Sequence, residues 1–572
     1  MKISELQNVK INNWQDISSF LYSISKSNPK LKIHDFNKLP ANGIAFITYN
    51  YGIDGVSIEI SKYARCFERT FSSQESELIP IHLISGGFLE HSDSIIKSRW
   101  RKFEIPNFDG WDKWDKGKWF AKLFYEDMPE NSEISNSLAK EIWKQATKFA
   151  KYISNYIAEL DIKLIIPVNV CSNPGNLAST LAITIASELT GVYVLNSNHD
   201  FYWEGGKPSN EKEPGEPPGC RDHFFRNFDN KPFFNLFKSI LPWNGENWFQ
   251  LNINKRQSDK LVSKFGFSAE RVGEIGTSVP ETFFDDLSPE AVKIKRFAMT
   301  YIFSDGKPVI SASQIDDFSN SLSDWMKNQK PAVCSIKNNS NLSLAFDNLI
   351  YFLQPTRVIG RKRIVKDCEL IAALANFQNF KNNLKENSKI FLHITGPVPI
   401  EHQADLEELL AAYKKSAKEI FEKNNIEFLI GFSVGNEKHP ELKKTGLRNL
   451  HIWDFYHIAD IVLFPSEEEG RGLPLVESAA TGTPIVSSRY YPENVFKEVV
   501  GEDLEKKYQI KYILFPENEY SDASLAEITK LLFDDNEKIA LAKHNKNAAS
   551  LRYGTEALAK HFTDALQKLT VQ

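Results

Sequence analysis

The chain has 572 residues, 42% of them hydrophobic, too many for one ordinary core, so two large domains or three smaller ones are expected. Its 69 basic residues stand against 74 acidic ones, a net charge of −5. No long block of Lys and Arg offers the surface that nucleic acid demands. Five scattered cysteines (Cys66, Cys171, Cys220, Cys334, Cys368) form no CxxC pair, which argues against a zinc site or a disulfide framework and for reduced cytosol.

The opening MKISELQNVKINNW has no apolar signal-type core, and nowhere do about 18 apolar residues run together, so neither a secretory leader nor a spanning helix is expected. A cytoplasmic location follows. Peripheral contact with a membrane and self-association stay open.

From Gly43 the chain reads GIAFITYN, then the glycine-bearing loop YGIDGVS, then IEISKYARCFE at helical spacing: a strand, a tight loop and a helix. The same grammar recurs in LIIPVNV, CSNPGN and LASTLAITIASEL, and again at VYVLNSNHD from Val192. Such alternation predicts a parallel sheet covered by helices, with ligands at the carboxyl ends of the strands. The Gly- and Pro-rich stretch from Trp203 to Arg221 reads as a mobile surface loop, with a lid or acceptor-binding role as the sharper alternative.

VGEIGTSVPETFF, Val272 to Phe284, reads as a strand leaving the first half. A second series follows: NLIYFLQPTR, a helix over Val365 to Asn376, KIFLHITG, a helix over Ala404 to Asn424, IEFLIGF, ADIVLFPS, a helix over Pro474 to Ala480, TPIVSS and KYILFP. The expected division is therefore 1–280, 281–548 and a terminal helix, 549–572, amphipathic at helical spacing. The segment 288–344 has mixed helical and apolar pieces with no chemistry assigned to it.

Ala459 to Ser488, ADIVLFPSEEEGRGLPLVESAATGTPIVSS, carries the most information. A buried strand ends in an acidic, glycine-bearing loop that feeds a helix. Loop glycines let backbone N–H groups approach an anion, and the helix N-terminus offers unpaired donors, so a diphosphate is the natural occupant. Glu469 and Glu477 flank the glycines. Carboxylates repel a diphosphate but accept hydrogen bonds from vicinal diols, one serving a sugar and the other a ribose. The competing reading makes Glu467 to Glu469 a solvated charge run and Glu477 a surface residue.

The pattern Glu469-x7-Glu477 within PSEEEGRGLPLVESAATGTPIV resembles the signature of the large retaining family of GT-B glycosyltransferases, family 4. The resemblance implies two Rossmann-like doubly wound α/β domains facing each other across a cleft, the first binding acceptor and the second a nucleotide sugar, with the terminal helix 549–572 packing back on the first. It implies that Glu469 bonds the donor sugar near C3 and C4, that Glu477 bonds the ribose, and that amides of Gly472 and Leu473 hold the diphosphate. LQPTRVIGRKR resembles the family's strand-end Gly-Arg-Leu and Lys-Gly. By register Arg357 and Lys362 neutralise the leaving diphosphate, with Arg361 competing for the lysine position. Thr356 and Arg363 depart from the family's two glycines.

In the first half, NYGIDGVS with Gly52 and Gly55 resembles the glycine-rich loop near the donor phosphates. His199 and Asp200 resemble a strand-end His-Asp pair, the histidine near the anomeric carbon and the aspartate near the acceptor. An ordinary strand–helix turn and a hydrogen-bonded strand-end histidine are the plainer readings. The tryptophans Trp100, Trp111, Trp114 and Trp119 suit core packing or a subunit contact better than sugar stacking. With no DxD motif, metal-independent chemistry is expected, without a cofactor.

The implied activity is retaining transfer of a hexose, glucose or mannose, from a UDP- or GDP-sugar to a saccharide or small hydroxylated acceptor. Its competitors are a disaccharide phosphorylase of the same fold and an inactive subunit that binds a glycan or partner.

Overall fold

The computed structural model describes residues 3–570 apart from 29, 53, 73–77, 91, 110–118, 125, 205–226, 228, 338–340, 343–347, 400, 401 and 518. Trp111, Trp114, Cys220 and most of the Trp203 to Arg221 loop lie outside the described residues. The other four cysteines are buried free thiols. The chain forms two compact units, Met1–Ser278 with Glu556–Gln572, and Val279–Thr555.

The first unit is a parallel sheet of β1 (Ile44–Ile47), β2 (Ile81–Ser85), β3 (Arg101–Glu104), β4 (Leu164–Pro167), β5 (Tyr193–Asn198), β6 (Trp248–Asn252) and β7 (Val272–Glu274). Their order is β3-β2-β1-β4-β5-β6-β7. Every residue of β1 and β4 is buried, as expected for strands with helices on both faces. The helix Leu177–Thr190 is buried on every side from Leu177 to Glu188, so it lies inside the core rather than along its edge. Asn176 caps it by accepting from the amides of Ala178 and Ser179, and Gly191 ends it at φ 68°. The helix Glu133–Glu159 packs the stripe Leu138, Ile142, Phe149 and Ile153 inward.

The helix Thr555–Thr570 completes this unit. Its Leu558, Phe562 and Leu566 enter the cluster containing Tyr63 and Phe67, with the Phe562 ring 4.5 Å from that of Phe67. Trp100 is also a core residue, its indole N–H donating to Glu68 at 2.8 Å.

The second unit holds β8 (Ile310–Ser311), β9 (Ser313–Gln314), β10 (Ala332–Ser335), β11 (Asn341–Leu342), β12 (Leu349–Gln354), β13 (Lys389–Ile394), β14 (Glu427–Phe432), β15 (Asn436–Lys438), β16 (Asn449–His451), β17 (Ile461–Phe464), β18 (Ile485–Ser487) and β19 (Ile513–Leu514). Its main sheet runs β19-β18-β17-β12-β13-β14-β10-β9, with β10 antiparallel to β14 and the other ladders parallel. The segment 288–344 supplies the helices Pro289–Phe303, Ile315–Asn320 and Leu322–Asn328 and the strands β8 to β11. In both units chain order reverses beside the first central strand, between β1 and β4 and between β12 and β17. Ligands of open α/β sheets bind at the carboxyl edge beside such reversal points. Among the described residues no helix is long and apolar enough to cross a membrane.

Candidate active site

At the reversal point of the second unit, the loop after β12 carries Arg357, Arg361, Lys362 and Arg363, and the loop after β17 carries Glu467 to Gly472. Backbone pairing joins them: the Glu467 amide donates to the Arg361 carbonyl at 2.8 Å, and Arg361 Nη1 donates to the Glu468 carbonyl at 2.6 Å. Arg363 sits at φ 49°, the left-handed region that favours glycine. The position that departs from the family's glycine therefore keeps glycine's backbone shape. The side chain offsets that strain, since Arg363 Nε donates to the Pro465 carbonyl at 2.8 Å and Nη2 to Ser488 Oγ and the Glu517 carboxylate. One guanidinium thus ties together the loops after β12, β17, β18 and β19. Arg363→Gly is expected to relax the backbone yet lower stability by about 1–2 kcal/mol, because charge-assisted bonds outweigh one left-handed residue; chemical denaturation measures the balance.

The strap brings Lys362 onto Glu469. Lys362 Nζ donates to Glu469 Oε1, and the two residues are only 7% and 9% exposed, so water screens the pair poorly. Burial pushes the lysine's pKa below its ordinary value, Glu469 pulls it back, and Arg361 and Arg357 add repulsion. Three cations and one carboxylate therefore share a neighbourhood. Beside them Gly472, at φ 61°, opens the helix Leu473–Thr481, and no side chain caps this terminus. A Cβ on Gly472 would lie 2.1 Å from Tyr490 Oη, so only glycine fits. Such a terminus beside a lysine and two arginines is suited to an anion.

Glu477, one turn into that helix, accepts from Tyr456 Oη at 2.8 Å, which fixes its carboxylate. Gly52, Gly55, His199 and Asp200 belong to the first unit. Gly55 begins the helix Gly55–Phe71, which Asp54 caps by accepting from the Ser57 amide, and the Gly52 amide donates to Ser57 Oγ at 3.1 Å. His199 and Asp200 follow β5. Gln257 donates to the His199 carbonyl at 3.0 Å, and Asn169, after β4, donates to Asp200 Oδ2 and accepts from its amide.

Residues 358–549, which hold Lys362, Glu469, Gly472 and Glu477, match the family described as glycosyl transferases group 1. The second unit carries a glycosyl transferases group 1 domain. That domain makes the chain a transferase enzyme, and Arg357 lies one residue outside the matched span. The chain is 24% identical over 407 residues to the mannosylglucosylglycerate synthase of Petrotoga mobilis, covering 68% of this chain and 75% of that protein. It is 32% identical over 114 residues to the D-inositol 3-phosphate glycosyltransferase of Corynebacterium urealyticum, 20% of this chain and 24% of that one. A solved glycosyltransferase from Rickettsia africae ESF-5 superposes with a TM-score of 0.48 at 12% identity, over 92% of this chain and 98% of its own.

Within the glycosyl transferases group 1 domain, several residues that shape the site are silent in the sequence. Tyr456 and Tyr490 belong to no motif, and both are buried. Gly396 closes KIFLHITG, where a Cβ would lie 2.2 Å from the Thr356 carbonyl oxygen. Only Arg363 leaves a trace, as an arginine where the family resemblance expects glycine.

Proposed function

We propose that this transferase moves a hexose, glucose or mannose, from a UDP- or GDP-sugar to a saccharide or small hydroxylated acceptor with retention of configuration, as a family 4 enzyme. The observation that carries the reading is the buried Lys362–Glu469 pair beside the uncapped helix terminus at Gly472. Lys362 is held where negative charge grows on the departing diphosphate, with Arg357 and Arg361 near it, and such prepositioned cations favour the transition state. Glu469 keeps acceptor capacity beyond its bond to Lys362 and takes the sugar's hydroxyls, while Glu477 takes the ribose diol.

In the reaction the bond from the anomeric carbon to the diphosphate oxygen breaks and one to the acceptor oxygen forms. The acceptor's proton passes to the departing phosphate oxygen, so the nucleoside diphosphate leaves without a separate base. His199 and Asp200 are assigned to the sugar and the acceptor, and Gly52 and Gly55 to close approach near the phosphates. No metal or cofactor takes part in this scheme. The names of the Petrotoga and Corynebacterium relatives, a mannosylglucosylglycerate synthase and an inositol phosphate glycosyltransferase, support a small polyhydroxylated acceptor.

Thermal shift against a panel of nucleotide sugars tests the donor class, since a ligand of the folded state raises Tm by mass action. Glu477→Gln is expected to weaken nucleotide binding about tenfold, the worth of one charge-assisted bond. Unchanged affinity by calorimetry takes Glu477 out of the site. Release of a sugar 1-phosphate from a disaccharide and inorganic phosphate, with no nucleotide present, would replace this reading by the phosphorylase.

A further inference from the structure

Asp367 lies in the first turn of the helix Val365–Asn376 and is 0% exposed. Its Oδ2 accepts from Gln354 Nε2 at 2.7 Å, while Oδ1 has no hydrogen-bond partner among the described residues. Gln354 is the buried last residue of β12, and its Oε1 accepts from Thr356 Oγ1 at 3.0 Å. Thr356 precedes Arg357. The chain of bonds thus ends one residue from a guanidinium that is itself exposed and that makes no hydrogen bond among the described residues. A long side chain of this kind is aimed only through its backbone. That backbone is held from the other side as well, where a Cβ on Gly396 would meet the Thr356 carbonyl oxygen at 2.2 Å and the Arg357 nitrogen at 2.4 Å.

A buried carboxyl with one oxygen unsatisfied is costly, and such a group calls for an explanation. Burial raises its pKa well above the carboxylate range, which favours the uncharged, hydrogen-bonding form. We propose that Asp367, Gln354 and Thr356 form a positioning relay that locks the Thr356–Arg357 turn and so aims Arg357 at the donor diphosphate. The proposal rests on the nucleotide-sugar reading of this site.

The test compares Asp367→Asn, Asp367→Ala and Thr356→Val in the full chain, alone and combined with Arg357→Ala, by calorimetry with UDP, GDP and their monophosphates. Asp367→Asn keeps shape and neutrality and is expected to bind like the wild type. Thr356→Val, which removes the hydroxyl that reaches Gln354 and the Arg357 carbonyl, and Asp367→Ala are expected to lose about tenfold in diphosphate affinity while monophosphate affinity holds. In the Arg357→Ala background neither is expected to cost anything more, because the relay works only through that arginine. Wild-type diphosphate affinity in folded Thr356→Val overturns the proposal, as does a loss that adds in full to that of Arg357→Ala. Thr356→Val serves on its own if Asp367→Ala does not fold. A wild-type chain that binds neither UDP nor GDP overturns the reading of the site, and the relay with it.

Discussion

Lys362→Met is expected to lower transfer about a thousandfold, the scale on which one prepositioned electrostatic contact acts at a developing charge. The same change strands the Glu469 carboxylate in a poorly hydrated position, which costs about 3–5 kcal/mol of stability. Activity loss alone would therefore be ambiguous. The double variant Lys362→Met/Glu469→Gln removes both charges and is expected to recover most of the lost Tm, while transfer stays as low as in the single variant. If the pair serves only to hold the loops together, the double variant regains turnover along with its stability. Parallel melting curves and donor-turnover assays separate the two outcomes.

Gly472→Ala is expected to destabilise the second unit by about 2–4 kcal/mol, the sum of a left-handed alanine and an overpacked contact. The new Cβ would meet Tyr490 Oη at 2.1 Å and ring carbons at 2.7 and 2.9 Å. Tyr490 has little room to retreat, with the rings of Phe464 and Phe496 centred 6.0 and 5.0 Å from its own. Tyr490→Phe removes the closest clash and leaves the ring contacts, so in that background the penalty is expected to fall by roughly half. Urea denaturation reads the stability, and titration with a nucleoside diphosphate reads the helix terminus. A Gly472→Ala chain with wild-type stability and affinity would place the anion elsewhere.

Much of the fold was legible because apolar periodicity survives in this sequence. The helix read over Val365 to Asn376 has those bounds in the structure, and the helix read from Ala404 begins at Gln403. Other elements left no such trace. Strand β3, Arg-Lys-Phe-Glu, is an edge strand whose side chains are mostly exposed, so no alternation marks it. Strand β10, only four residues long, follows two short helices, Ile315–Asn320 and Leu322–Asn328, and is too brief to show a period of its own. The site divides in the same way. Glu469 and Glu477 share one motif and can be read together, whereas the Lys362–Glu469 pair spans 107 positions that no local spacing encodes. The tyrosines behind Gly472 and Glu477 act through shape and a single hydroxyl, and the sequence presents them only as hydrophobic residues.

The helix Thr555–Thr570 belongs to the first unit although the whole of the second lies between it and Ser278. During synthesis the earlier domain emerges complete except for the apolar patch around Tyr63 and Phe67, which stays uncovered while some 277 further residues are made. Two globules joined in simple succession would each close on their own schedule. Here the maturation of the first waits on elongation through the second, and a ribosome that stalls inside residues 279–555 leaves a sticky half-product exposed to chaperones and proteases.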